Sequence, residues 1–267
     1  MKLAFIGGGT MGEAIIAGVL DKGVLSPADI AACDISPARR EHLAKTYGVS
    51  VGEEAAVSSK SDIVMLAVKP QEFPAAGRAL NSTLNGKQTV MSIMAGVPID
   101  VIRSALKHDA VVRAIPNTPA QIGEGMTVWT ATEAVPASTR EAVRSVLSVL
   151  GRELYVDDEK YVDMATAVSS SGPAYVFLMI ESLIDAAVHI GLRREMAVPM
   201  VLQTVLGSAR YAIETGKHPA ALRNQVTSPG GTTTEGLREL EEAGLRAAFL
   251  NAVEAAYEKA KALGGQK

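Results

Sequence analysis

Cysteine is almost missing: Cys33 is the one thiol in 267 residues. That excludes an intrachain disulfide framework and any metal cluster built on several thiolates, and it fits a reducing cytoplasm. An excess of charge of either sign is also lacking, since 26 lysines and arginines face 29 aspartates and glutamates. Without a basic surface, neither nucleic acid nor an anionic membrane is expected as a partner. No uncharged apolar run approaches the ~18 residues of a membrane-spanning helix, and the longest candidate, Ala174 to Ile190, contains Glu181 and Asp185. The opening "LAFIGGG" breaks at three glycines and soon meets Glu13, which reads as strand and turn rather than as a leader peptide. The four histidines show no metal-ligand spacing, so no metal is expected. What remains is 48% hydrophobic and 21% charged, the balance of a globular protein long enough for two domains.

From Met1 to Asp157 short apolar runs alternate with helix-like segments. "KLAFIG", "IAACD", "DIVMLAV", "TVMSIMA", "AVVRAIP" and "GMTVW" read as strands, and "RELYVDD" closes this half. "GEAIIAGVLDKG", "SPARREHLAKTYG", "PIDVIRSALKH" and "PASTREAVRSVLSVLG" carry apolar residues at three- and four-residue spacing. The alternation predicts an α/β domain, a parallel sheet with helices on both faces, over 1–157. Residues 158–267 carry only long helical patterns, apolar over much of their circumference, as in a bundle or a subunit interface. Pro199 predicts a kink or a break in the second of them.

"GGGTMG" satisfies G-x-G-x-x-G with Gly7, Gly9 and Gly12. The motif is weak alone, but it follows an apolar strand, opens an amphipathic helix, and is followed by Asp34 at the end of a second strand. Gly7 permits the turn, Gly9 a close approach of pyrophosphate, and Gly12 the packing of helix on strand, with Gly8, Thr10 and Met11 completing the turn. Asp34 favours NAD, because an acidic residue there binds ribose and repels a 2′-phosphate. Ser36, Arg39 and Arg40 follow closely and could hold that phosphate, or the arginines are a solvated helix start. NAD against NADP stays open.

"AVKPQ" ends a strand where a parallel sheet offers its carboxyl edge to ligands, which makes Ala67, Val68, Lys69 and Pro70 cofactor-proximal. Lys69 is a candidate acid or base, or faces solvent. Ala95, Gly96, Asn117 and Pro119 end two further strands in the same way. Asn117 either hydrogen-bonds near a nicotinamide or makes an Asx-turn. In the second half, Ser170 and Ser171 precede Pro173 and read as helix caps. Ser228, Pro229, Gly230, Gly231 and Thr232 to Thr234 form a glycine and hydroxyl-rich helix entrance, suited to a carboxylate. His218, beside that loop, reads as a cap or a surface residue before it reads as catalytic.

"LRNQVTSPGGTTTEGLRELE" resembles the signature of the pyrroline-5-carboxylate reductases, and "FIGGGTMGEAI", "AVKPQ", "AGV", "R-x-I-P-N-T-P" and "SSSGPAYVF" match that family's other blocks in the same order. The resemblance implies a Rossmann domain followed by a helical domain that dimerises by intertwining, with active sites drawn from both subunits; some members form decamers. It implies NAD(P)H-dependent reduction of 1-pyrroline-5-carboxylate to proline, the last step of proline synthesis. Carried over, Ser228, Pro229, Gly230, Gly231 and Thr232 bind the substrate carboxylate, and Thr233 hydrogen-bonds the ring nitrogen. The chain departs from the family at Asp34, where many NADPH-using relatives have a small hydroxyl or amide residue.

The missing residues agree with that chemistry. Reducing a ketone creates an alkoxide and calls for a positioned acid, whereas a protonated imine takes hydride to give a neutral amine. No lysine lies between Lys160 and Lys217, so the K-x-x-N pattern of the β-hydroxyacid dehydrogenases is absent. The rival readings are a related imine or ketone reductase and a non-catalytic dinucleotide sensor. A sensor has no need of the "SPGGTTT" loop.

Overall fold

The computed structural model describes residues 1–53 and 58–264. Two compact units are formed, one of Met1–Ser171 joined by the stretch from Ala255 onward, the other of Gly172–Glu254. The pattern of the sequence places a division at 157/158, just past the last strand. The compact units part instead at Ser171, because Lys160–Ala165 packs against the sheet.

Among the described residues eight strands build the first unit: β1 (Leu3–Ile6), β2 (Ile30–Cys33), β3 (Ser50–Gly52), β4 (Ile63–Leu66), β5 (Thr89–Ser92), β6 (Val111–Ile115), β7 (Gly125–Ala131) and β8 (Gly151–Tyr155). Their order in the sheet is β3-β2-β1-β4-β5-β6-β7-β8. Helices α1 (Thr10–Asp21), α2 (Pro37–Tyr47), α3 (Phe73–Asn81), α4 (Ile99–Leu106), α5 (Ala137–Ser148) and α6 (Lys160–Ala165) connect or follow them. Successive strand side chains point to opposite faces, and each face makes its own core. Leu3, Phe5, Ile63, Met65 and Met91 pack with α1, α2 and α5 through Ile15, Ile16, Leu43, Val143 and Leu147. Ile6, Val64, Leu66 and Val90 pack with α3 and α4 through Phe73, Leu80, Ile102 and Leu106. A fully buried side chain of this size stabilises by about 1.5–3 kcal/mol, so both faces hold the sheet firmly.

Two strands depart from the all-parallel expectation: β7 runs antiparallel to β6 and β8 pairs parallel with β7, so both run opposite to β1–β6. A parallel return needs a crossover of a dozen or more residues, and β6 and β7 are separated only by 116–124, partly a 3-10 turn over Thr118–Ile122. β3, absent from the sequence reading, is a three-residue edge strand paired only with β2.

The second unit holds α7 (Gly172–His189), α8 (Arg194–Thr215), α9 (Pro219–Gln225), α10 (Thr232–Glu242) and the first part of α11 (Leu245–Leu263). α8 runs unbroken through Pro199, which has no N–H to give the Glu195 carbonyl. Large apolar side chains here are exposed, among them Phe177, Leu178, Leu206, Ile213 and Leu250. By length and composition the continuous helical stretch Lys160–His189 is apolar enough to cross a membrane. It carries Glu181 and Asp185 on its second half.

Candidate active site

The Gly-rich turn is closed by backbone packing that leaves no room for side chains. Gly7 adopts φ +100°, its N–H donates to the Cys33 carbonyl (2.8 Å), and a Cβ there would lie 2.7 Å from the Ala67 carbonyl oxygen. A Cβ on Gly12 would lie 2.8 Å from the Gly7 carbonyl oxygen. Gly9 differs: a Cβ there would meet nothing of the protein within 4 Å. Gly9 is also the N-cap of α1 and offers no side chain to its amides, so the helix start is open to an anion. These residues fit a dinucleotide pyrophosphate.

A cavity of about 720 Å³ lies at this edge, at the switch point where β1 is flanked by β2 and β4. Of the residues expected from the sequence, Gly7, Gly9, Asp34, Ala67, Val68 and Lys69 line it. Gly8 sits beneath, seated against Leu43, and Thr10 and Met11 form the first turn of α1. Ser36 caps α2 by accepting from the Arg39 N–H, and Pro70 opens a 3-10 turn. Ala95 and Gly96 follow β5 and Asn117 follows β6; none of the three lines this cavity. Residues missed in the sequence complete its wall: Ile35, Glu53, Glu72 and the small residues of α3, Ala75, Ala76 and Ala79. The run of alanines directly after the "AVKPQ" strand end was the available signal.

Asp34 is held by two backbone amides, with Oδ2 accepting from Gly8 N–H (2.7 Å) and Oδ1 from Ser36 N–H (2.8 Å). Arg39 donates through Nε to the Gly8 carbonyl (2.9 Å) and through Nη2 to Glu13 Oε2 (2.6 Å). Glu13 is also 2.6 Å from His42 Nε2 and accepts from the Tyr47 hydroxyl (3.0 Å). Burial pushes the Glu13 carboxyl up, but the hydrogen bonds from Arg39, His42 and Tyr47 outweigh it and hold the group at about 2. None of this network was visible in the sequence, since its members lie on separate helices.

Asn117 makes neither an Asx-turn nor a free amide. Its Oδ1 accepts from Met126 N–H (2.9 Å) and its Nδ2 donates to the Ser169 carbonyl (3.0 Å). Ser169 belongs to a π turn, Thr166–Ser170, that joins α6 to the helix behind it. The serines before Pro173 therefore lie inside a continuous helical stretch, where no exposed helix start needs a cap. Arg113, 1% exposed, anchors the same region through Glu159 (2.6 Å) and Asp163 (2.5 Å).

In the helical unit, the Ser228–Gly231 turn is tied by Gly231 N–H to the Ser228 carbonyl (3.0 Å), with Gly230 at φ +68°. A Cβ on Gly231 would lie 2.5 Å from Ser228 Oγ. Gly231 is the N-cap of α10, again without a capping side chain, and Thr232 and Thr233 are its first residues. Thr234 Oγ1 donates to the Ser228 carbonyl (2.6 Å). Among the described residues the Thr233 hydroxyl has no such partner. His218 caps α9 by accepting from Ala220 N–H at Nδ1 (3.2 Å).

The sheet order, the open helix start behind a Gly-rich turn and the cavity at the switch point define a dinucleotide-binding oxidoreductase. Residues 2–96 match the family described as NADP oxidoreductase coenzyme F420-dependent, and residues 159–263 match pyrroline-5-carboxylate reductase dimerisation. The chain is 42% identical over 267 residues to the pyrroline-5-carboxylate reductase of Synechocystis, covering 99% of this chain and 98% of the relative. Against that of Escherichia coli it is 40% identical, covering 98% of each. The solved pyrroline-5-carboxylate reductase of Coxiella burnetii aligns with a TM-score of 0.91 at 34% identity, over 100% of this chain and 98% of that one. The Plasmodium falciparum pyrroline carboxylate reductase, solved with NADP bound, aligns at 0.89 and 32%, over 99% and 98%. The chain belongs to the pyrroline-5-carboxylate reductase family.

Proposed function

We propose that this chain reduces 1-pyrroline-5-carboxylate to proline with a reduced nicotinamide dinucleotide, NADPH or NADH, as a homodimer. The observation that carries the reading is kinship along the whole chain, through the Gly-rich half and the helical half alike. In this division of labour the α/β unit holds the dinucleotide and the helical unit holds the substrate. Bound nicotinamide supplies the hydride.

The chain's own residues do the rest. Gly9 and the start of α1 take the pyrophosphate, and Asp34 takes the adenosine ribose. The amides of Gly230 and Thr232, with the Ser228 hydroxyl, hold the substrate carboxylate over the turn that the Gly231 N–H closes. They add no cation beside the iminium, whose positive charge makes C5 electrophilic. Thr233, whose hydroxyl has no internal partner among the described residues, orients the ring nitrogen. Because the imine enters protonated, no general acid is required, and positioning with electrostatics supplies most of the acceleration. The exposed apolar faces of α7 and α8 are the surface proposed for the second copy.

The test is oxidation of NADPH and of NADH at 340 nm with pyrroline-5-carboxylate as substrate. Turnover with either supports the reading, and no turnover with both sinks it. Turnover only of other imines or of ketones would favour the related-reductase rival. Light scattering on the eluting protein reads dimer against decamer, and a monomer would remove the assembly.

A further inference from the structure

Resting on the dinucleotide reading above, the network at the adenosine end of the cavity bears on which dinucleotide is taken. The Gly8 peptide is clamped from both sides: its N–H donates to Asp34 Oδ2, and its carbonyl accepts from Arg39. The second Asp34 oxygen accepts from Ser36 N–H, so the carboxylate is fixed in place.

Both arginines of "SPARRE" are already engaged. Arg39 is held against the Gly8 carbonyl by its ion pair with Glu13 (2.6 Å). Glu13 in turn receives Tyr47 and faces His42, and it stays ionised at any working pH. Arg40 donates through Nη1 to the carbonyls of Asp34 (2.7 Å) and Ile35 (3.2 Å), and its Nη2 lies 3.5 Å from Glu53. The lining residues of the cavity add Asp34, Glu53 and Glu72 against a single cation, Lys69. β2 and β4 flank β1 on opposite sides, so Lys69 lies across the Gly-rich turn from Asp34. A 2′-phosphate, carrying close to two negative charges, would come beside a carboxylate with no free cation among the described residues on that side of the cavity to meet it. A ribose 2′-hydroxyl would instead donate to that carboxylate.

We propose that Glu13 is a specificity-determining residue: by holding Arg39 on the Gly8 carbonyl it withholds the guanidinium from a 2′-phosphate, and together with Asp34 it selects NADH over NADPH. Glu13 touches neither nucleotide. It acts through Arg39.

Equilibrium binding of NADH and NADPH to the full chain, read by nicotinamide fluorescence, tests this without turnover. The wild type is expected to bind NADH at least tenfold more tightly. Glu13→Gln keeps the shape and removes the charge, and it should move the affinity ratio toward NADPH by about fivefold or more, on the order of one charged hydrogen bond to phosphate. Adding Arg39→Ala should return the ratio, because the gain comes from that guanidinium. Asp34→Ser should move the ratio the same way without needing Arg39, which keeps the test alive if the Glu13 variant folds poorly. A purely structural role for Glu13 would weaken both nucleotides in proportion; an unchanged ratio overturns the proposal. So does a wild type that binds NADPH as tightly as NADH. Failure to bind either nucleotide would bring down the dinucleotide reading itself, and this inference with it.

Discussion

Asn117 Nδ2 donates to the Ser169 carbonyl at 3.0 Å, across 52 residues of sequence. That carbonyl lies four residues before Pro173, which has no N–H to give it. The side chain thus replaces a missing helix bond while its oxygen holds the start of β7. Asn117→Ala should leave both the Met126 N–H and the Ser169 carbonyl unpaired and cost about 2 kcal/mol. In thermal unfolding that is a drop of about 4–8 °C for a chain of this size. Asn117→Asp, which puts a carboxylate against a carbonyl, should be worse than Ala, and an Asp variant as stable as wild type would contradict the strut.

Arg113 faces two carboxylates from one buried position. Removing it as Arg113→Met should leave Asp163, 4% exposed, charged without a partner, at a cost of about 3–5 kcal/mol. Lysine should not restore the loss, since one ammonium cannot reproduce the fork that meets Glu159 and Asp163 together. Urea unfolding of the two variants reads this directly.

Two glycines of one motif should fail differently. Gly12→Ala places a Cβ against the Gly7 carbonyl, so stability and nucleotide affinity should fall together. Gly9→Ala places its Cβ in open space, so the melting temperature should hold within about 1–2 °C while nucleotide affinity drops. Equal effects of the two on stability would refute the distinction.

Thr233 and Thr234 make a similar pair. Thr234→Ala breaks the bond to the Ser228 carbonyl and should loosen the loop, seen mainly as a higher KM. Thr233→Ala should lower kcat/KM about tenfold to a hundredfold with stability unchanged, the order of one hydrogen bond to a charged group. An unchanged rate would remove Thr233 from the chemistry.

Glu13 also sets a pH dependence. Its carboxyl is held at about 2 against an ordinary 4.5. A depressed carboxyl stabilises the fold fully above 4.5, and the contribution is lost as pH falls from 4.5 toward 2. Urea midpoints between pH 5 and 2.5 should fall in the wild type and fall less steeply in Glu13→Gln. Parallel slopes would disprove the assignment.

The strands of the sheet were legible where burial on both faces forces a continuous apolar run, as in "IVML" of β4. β3 was not, because a three-residue edge strand leaves too short a pattern. The direction of β7 depends on the length of the connection before it, which periodicity does not encode. At the site, Gly7, Gly9 and Asp34 were readable because their spacing is local. The pairing of Glu13 with Arg39 was not, since 26 residues and two helices separate them. Which of two adjacent threonines is tied down internally was equally hidden, because only the turn at Gly231 decides it.

The end of α11 returns to the α/β unit, where Leu263 packs so closely on the turn after β5 that a Cβ on Gly96 would come within 2.7 Å of it. The α/β unit is therefore discontinuous in sequence. During synthesis its sheet can assemble from the first 171 residues, but the turn after β5 lacks its cover until residues 255–264 have left the ribosome. A nascent chain stalled before that point should expose the Gly96 turn to protease, so the helical unit is made while the domain ahead of it is still unfinished.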